Sequence, residues 1–262
     1  ALPLADTLGY WWRALEGDRS RPAFMAAKLL EVSAFLPGQR ARRPSIRAGR
    51  HEELPSRPPP LLREACAVAV VVPARCRSLS EKAMLKRLLA ALRAQTHPSA
   101  IVLVDDGSDP PIAEQHVEII RIPRRLGPAA ARNRGCERAL ALGVDVVAFT
   151  DVDCVPAPDW VERLVGALRD TSAHAVGGTT RAFDRAALAR YHERNGTLNG
   201  RELAHRPGEL LYAPTCNLAV HAEVFRELRF DQAFATAAAE DIDLCLRAAR
   251  AGFRIRHAPG AL

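Results

Sequence analysis

No two of the six cysteines (Cys66, Cys76, Cys136, Cys154, Cys216 and Cys245) stand at CxxC spacing. That argues against a zinc site, and in a chain of 262 residues it predicts reduced, mostly buried thiols. No uninterrupted apolar run approaches the roughly 18 residues needed to cross a bilayer. Trp11, Trp12 and Arg13 break the only early apolar stretch, so no secretory signal is expected. Together these absences predict a cytoplasmic protein. Lysine is confined to positions 28, 82 and 86, so every later cation is arginine or histidine. There is neither an RNA-binding aromatic motif nor a helix-turn-helix pattern, and no nucleic-acid partner is expected. No internal repeat is visible.

What is present is ordinary in amount and uneven in place. Hydrophobic residues make up 48% and charged residues 26% of the chain, as in a globular domain. Most of the net charge of +7 falls in residues 1–63, with 11 Lys or Arg against 6 Asp or Glu. Within it, Leu8 to Leu15 and Pro22 to Leu36 read as short helices. A basic run from Arg40 to His51 and Pro55, Pro58, Pro59 and Pro60 then form a connector with little to bury. Trp11, Trp12, Phe24, Met25 and Phe35 beside those cations make residues 1–60 a candidate peripheral contact with an anionic membrane at its inner face. Packing on the chain's own domain is the more ordinary fate of such a segment. The expected division is therefore a basic helical extension with a Pro-rich linker over 1–63, and one domain over 64–262.

From Ala65 the pattern alternates strand and helix, which predicts an α/β sheet. Strands are expected at Cys66 to Val72, Ile101 to Val104, Val117 to Ile122, Val144 to Thr150, near Ala175 and at Phe253 to Arg256. Helices are expected at Ser80 to Gln95, Pro128 to Leu142, Asp159 to Leu168 (with Asp159 as N-cap) and Glu240 to Ala251. Arg181 to Glu209 reads as irregular, and Leu210 to Val220 as an apolar piece.

The chemistry gathers where strands end. In open α/β sheets, ligands bind beyond the carboxyl ends of the strands. The first strand runs into Pro73-Ala74-Arg75, and the second into Asp105-Asp106-Gly107-Ser108. Gly127-Pro128-Ala129-Ala130-Ala131-Arg132-Asn133-Arg134-Gly135 opens a helix whose small residues permit close packing and whose guanidinium groups can meet phosphate. The fourth strand stops at Asp151-Val152-Asp153, two carboxylates on one side of an extended chain. Hard oxygen ligands there suit Mg²⁺ or Mn²⁺.

This order resembles the family 2 glycosyltransferases, inverting enzymes of the GT-A fold, from about Ala65 to the chain end. The match is carried by Pro73, the DDGS turn, the GxxxARNxG helix (Gly127, Ala131, Arg132, Asn133, Gly135) and the DxD turn. Downstream, Glu240-Asp241 followed by Gly252 is similar to the family's ED segment. The resemblance implies a Rossmann-like, mixed but mostly parallel sheet flanked by helices, with the short helical extension ahead of it. It implies that Pro73, Ala74, Arg75, Asp105, Asp106, Arg132 and Asp151 bind a nucleotide-diphosphate sugar, Asp105 or Asp106 at the base. Asp151 would reach the ribose or the metal shell, and Asp153 would be the main ligand of Mn²⁺ or Mg²⁺. Asp241 would be the general base and Glu240 would orient the acceptor hydroxyl, in a single in-line displacement. Trp160 and Asn217 are candidates to meet acceptor or sugar. The acceptor itself, whether glycan, lipid or small molecule, carries no readable code.

Two departures matter. The family's late histidine beyond the final strand has no clear counterpart, because His257 comes early; it reads as structural, and a C-terminally truncated chain is expected. No QxxRW-type segment is present, which favours single-sugar transfer over processive synthesis. A haloacid-dehalogenase-type phosphatase would share the DxD turn but needs a later lysine. A nucleotidyltransferase needs a Gly-rich loop after the first strand. A non-catalytic nucleotide-sugar-binding module is the remaining alternative.

Overall fold

The β-branched run after Cys66 forms strand β1 (Val68–Ala74), buried on both faces except at Pro73. The computed structural model describes residues 56–183, 193, 199–203, 206–234 and 239–262. The helices expected at Leu8 to Leu15 and Pro22 to Leu36, with the aromatic residues on them, lie outside the described residues. Helix α1 (Leu79–Arg93) starts one residue before its expected position. Ser78 caps it: its hydroxyl accepts from the Glu81 N–H at 3.2 Å, and the Glu81 carboxylate accepts from the Ser78 N–H at 2.8 Å.

The chain continues through β2 (Ser99–Asp106), β3 (Glu118–Ile122), α2 (Pro128–Ala141), β4 (Val146–Phe149), α3 (Trp160–Thr171) and β5 (Ala175–Gly178). A hairpin of β6 (Arg201–Leu203) and β7 (Arg206–Tyr212) follows, then a 3₁₀ turn at Thr215–Asn217 and β8 (Leu218–His221). Helices α4 (Val224–Glu227) and α5 (Glu240–Arg250) lead to β9 (Ile255–Ala258). The hairpin occupies part of the stretch expected to be irregular. Arg201, Glu202, Arg206 and Glu209 give it no apolar alternation to read. Asp159 is the N-cap residue of α3, as expected, but its side chain caps no N–H; its carboxylate accepts from Arg163 Nε at 2.6 Å.

The strands lie in the order β3-β2-β1-β4-β8-β5-β9-β7-β6. β1 to β4 are mutually parallel, so their carboxyl ends share one edge. β8 inserts antiparallel between β4 and β5, with Phe149 opposite Leu218 and Leu218 opposite Gly177. The beginning of β8 therefore joins the carboxyl ends of β4 and β5 at that edge. One face of the sheet packs on α2, α4 and α5, the other on α1 and α3. On the first face Phe149 meets Phe225 and Phe230 edge-on at 5.5 and 5.6 Å. Among the described residues no helix is long and apolar enough to cross a membrane. Arg57, before the first strand, pairs with Glu227 at 2.7 Å and stacks over Phe253.

Helix α2 lies tight against β1 because Gly135 has no side chain. A Cβ there would stand 2.2 Å from Val71 Cγ1. Gly135→Ala should destabilise the domain by about 1–3 kcal/mol through overpacking, read from the urea midpoint. Adding Val71→Ala should cost less than the two changes summed, because it empties the space the methyl needs.

His221 ends β8 buried, with Nε2 lacking a hydrogen-bond partner. Burial, then the neighbouring His174, push its pKa down to about 4 against the opposing charge of Asp145. The unfolded chain takes this proton near pH 6.5 and the folded chain resists it to about 4. Stability is thus intact above the unfolded value and lost as pH falls through that window, by up to about 3 kcal/mol. His221→Gln should flatten the urea midpoint between pH 7 and 4.5.

Candidate active site

The DDGS turn is built by its own carboxylates. Asp105 is fully buried at the end of β2 and accepts from the N–H groups of Ser108 at 2.9 Å and Ile112 at 3.0 Å. Arg121, its register partner on β3, adds a guanidinium. Burial pushes the Asp105 pKa up, but the bonds from Ser108, Ile112 and Arg121 outweigh it and hold it below the ordinary value. Asp106 accepts from the N–H groups of Leu126 at 2.7 Å and Gly127 at 2.9 Å, tying this turn to the start of α2. Gly107 has φ 75°, and a Cβ there would meet Arg125 N at 2.7 Å. Both carboxylates are therefore turned inward on the chain. The expectation puts one of them at a base; in this structure both accept from main-chain N–H groups, of the turn itself and of the start of α2. Arg121 was not singled out from the sequence, and only the pairing of β2 with β3 reveals it.

The ARN segment is a bracket as well. The Arg132 side chain is 4% exposed and donates to Glu240 Oε1 at 2.6 Å and to Asp151 Oδ1 at 2.8 Å. Burial disfavours its charge, but Asp151, Glu240 and Asp241 outweigh burial and raise its pKa. Its Nε–H is buried without a partner. Asn133 exchanges two hydrogen bonds with the backbone of Phe230, at 2.8 and 2.9 Å. Arg132 was expected to meet phosphate. Its guanidinium is instead committed between two carboxylates, and it joins the DxD turn to the ED helix, whose sequence positions lie 89 residues apart between Asp151 and Glu240.

At the DxD turn the two carboxylates differ. Asp151 is one-third exposed, and its Oδ1 accepts from Arg132. Asp153 is exposed, and its nearest hydrogen-bonding neighbour among the described residues is the Cys154 thiol at 3.8 Å. Asp153 enters no ion pair among the described residues. Across the bridge, Asp241 is half-buried at the first turn of α5 and accepts from the Ile242 N–H at 2.8 Å. Burial, then the adjacent Glu240 charge, raise its pKa to about 6. Arg75, at the end of β1, has a buried Nε without a partner and no ion pair among the described residues. Pro73 and Ala74 sit level with Val104 and Asp105 in the β1–β2 register.

Trp160 and Asn217 are not where an acceptor could meet them. Trp160 is 1% exposed and donates from Nε1 to Asn217 Oδ1 at 2.8 Å. The Asn217 amide donates to the carbonyls of Thr179 and Ala261, both at 3.1 Å. The pair pins α3, β5 and the last residues together, which corrects the acceptor expectation for both. His257 Nε2 lies 3.3 Å from Thr179 Oγ1, and its Nδ1 lies 3.8 Å from Glu202.

The profile of glycosyl transferase family 2 matches residues 69–229, which include the DDGS, ARN and DxD segments. The pre-mycofactocin glycosyltransferase of Mycobacterium tuberculosis is 32% identical over 211 residues, covering 74% of this chain and 42% of that protein. Glycosyltransferase AglE of Haloferax volcanii is 28% identical over 174 residues, covering 62% of this chain and 54% of that protein. The chain thus spans about half the length, or less, of these curated relatives. Among solved structures, the mannosyltransferase PcManGT from Pyrobaculum calidifontis superposes with TM-score 0.57 at 20% identity, over 80% of this chain and 59% of that one. TarS of S. aureus gives TM-score 0.56 at 15% identity, over 74% of this chain and 35% of that one. These likenesses agree with the mixed sheet and flanking helices, and neither the phosphatase nor the nucleotidyltransferase reading survives the profile match. From the order of its strand-end turns to that profile, the chain belongs to the family 2 glycosyltransferases.

Proposed function

We propose that this chain transfers a single sugar, with inversion, from a nucleotide-diphosphate sugar to an acceptor hydroxyl. The observation that carries the reading is the Arg132 bridge. One buried cation touches both Asp151 of the donor-side turn and Glu240 beside Asp241, which supports reading the two acidic segments as parts of one site.

The donor side has Arg75 with donors to spare for a diphosphate, and Pro73 and Ala74 as backbone wall beside the Asp105 and Asp106 turn. Asp151 and Asp153 fit a divalent ion, Mn²⁺ or Mg²⁺. Among the described residues no three His, Cys, Asp or Glu side chains converge to enclose one. An ion held by one or two carboxylates, completing its shell with diphosphate oxygens and water, needs no more. When bound, such an ion neutralises charge on the departing diphosphate. PcManGT, solved with GDP-Man and Mn²⁺, and GalNAc-T7, solved with UDP, GalNAc and Mn²⁺, lend the choice of ligands support.

On the acceptor side Glu240, fixed by Arg132, orients the hydroxyl, and Asp241 takes its proton as the oxygen attacks the anomeric carbon. A base of pKa about 6 is ionised at neutral pH yet still basic enough to accept a proton. A relative named undecaprenyl-phosphate 4-deoxy-4-formamido-L-arabinose transferase makes a lipid-linked acceptor one class worth testing. A cytoplasmic site at the inner membrane face accords with such an acceptor.

The test is thermal. UDP or GDP at about 100 times its dissociation constant should stabilise the chain by about 2.7 kcal/mol in the presence of Mn²⁺ and much less without it. Asp153→Ala should erase the Mn²⁺-dependent part while leaving the unliganded melting temperature unchanged. An undiminished Mn²⁺ effect in that variant would remove Asp153 from the site.

A further inference from the structure

Four of the six thiols are buried, and Cys154 and Cys216 alone are part-exposed. Burial pushes Cys66 to about 11 and Cys245 to about 12, and raises Cys76 and Cys136 as well, which leaves those four poorly reactive. The two part-exposed thiols are 62 residues apart in sequence. Phe149 on β4 stands opposite Leu218 on β8. The 3₁₀ turn that carries Cys216 runs straight into β8 and touches β4, whose carboxyl end leads into the Asp151 turn. The Cys154 N–H donates to the Asp151 carbonyl at 3.0 Å, so that turn folds Cys154 back over Asp151. The side chains of Cys154 and Cys216 lie within each other's electrostatic reach, and both lie within that of Asp151. Thr180 Oγ1 lies 3.9 Å from Cys216 Sγ, and Asp153 Oδ1 lies 3.8 Å from Cys154 Sγ.

We propose that Cys154 and Cys216 are a modification site: a reversible disulfide, formed under peroxide, that latches the turn bearing Asp151 and Asp153. One thiol is oxidised by hydrogen peroxide to a sulfenic acid, releasing one water. The sulfur of the second thiol then attacks it, forming the S–S bond and expelling the sulfenic oxygen as a second water, while the peroxide supplies the two-electron oxidation. A thiol reductant reverses the step by exchange. Pairs of this kind in reducing compartments are transient and sense oxidants. Closing the sulfurs to about 2.05 Å draws Cys154 toward the 3₁₀ turn and carries the Asp153 peptide with it. The effect on ligand capture rests on the donor-side reading of that turn, whereas the disulfide itself does not.

The experiment treats the folded chain with hydrogen peroxide, alkylates free thiols after denaturation and maps peptides without reduction. The expected product is a linked Cys154–Cys216 peptide, 2 Da lighter than the two thiols, restored by dithiothreitol. Recovery of both cysteines as separate alkylated or over-oxidised peptides would overturn the proposal, as would a linkage between chains. In parallel, UDP and GDP are titrated with Mn²⁺ onto reduced and oxidised protein. Oxidation should weaken binding about tenfold, and Cys216→Ser should bind as the reduced chain does and ignore peroxide. Equal binding by both forms would overturn the latch. Binding by neither form, with the linked peptide present, would overturn the donor-side reading and uphold the disulfide.

Discussion

Asp241→Asn should lower kcat by about 10²–10⁴-fold while leaving nucleotide binding with Mn²⁺ intact. The amide keeps the shape and can keep the bond from the Ile242 N–H, but it cannot take a proton from the acceptor. The parent chain's rate should rise through pH 6, because the base must shed its own proton first and its pKa lies at about 6. Below that value each pH unit should cost about tenfold in rate. The variant should lack this limb. It should also melt higher. A carboxyl whose folded pKa lies above its unfolded value supports the fold fully only below the unfolded value, and loses that support as pH rises through the folded one. At pH 7 Asp241 therefore opposes folding by on the order of 2 kcal/mol, which the neutral amide removes. A variant both more stable and inactive marks a residue kept for chemistry. Retention of most of the turnover would take the role of base from Asp241. A parent chain that binds nucleotide with Mn²⁺ and turns over no donor would be the binding module.

Arg132→Met should cost about 3–5 kcal/mol of stability, read from the urea midpoint, because it removes a buried cation that faces one buried and one part-buried carboxylate. Arg132→Lys should recover only part of that. An ammonium is a point charge, whereas the guanidinium gives separate nitrogens to Glu240 and Asp151. Adding Glu240→Gln to Arg132→Met should restore some stability by removing a buried charge that Arg132 no longer balances, so the pair should be non-additive. Losses below 1 kcal/mol for Arg132→Met would mean that the bridge is replaced by water and does not hold the two segments together.

The strand–helix alternation was legible because buried parallel strands are continuous β-branched runs, as in Val68–Ala74, and because Gly127 and Pro128 punctuate the start of α2. The hairpin of β6 and β7 was not, since Arg201, Glu202, Arg206 and Glu209 interrupt any apolar alternation in its short strands. Where the acidic motifs fall was legible too; what each carboxylate touches was not. Asp105 and Asp106 share a dipeptide with ligand-binding character, but their partners come from β3 and the start of α2. Asn217 and Trp160 read as sugar contacts, since amides and indoles are common ones, and proximity to the DxD turn cannot reveal that each satisfies the other inside the core. The proposed Cys154–Cys216 pair depends on β8 running antiparallel beside β4, a topology that local sequence does not encode.

The inward-facing carboxylates of Asp105 and Asp106 bear on how such a protein could diversify. A loop already fastened to its own main-chain amides has little freedom left to surrender when something docks against it. On the proposed reading, that side of the site then behaves as a fixed socket. New specificities can arise by rewriting side chains that face it from elsewhere, without disturbing its fastening.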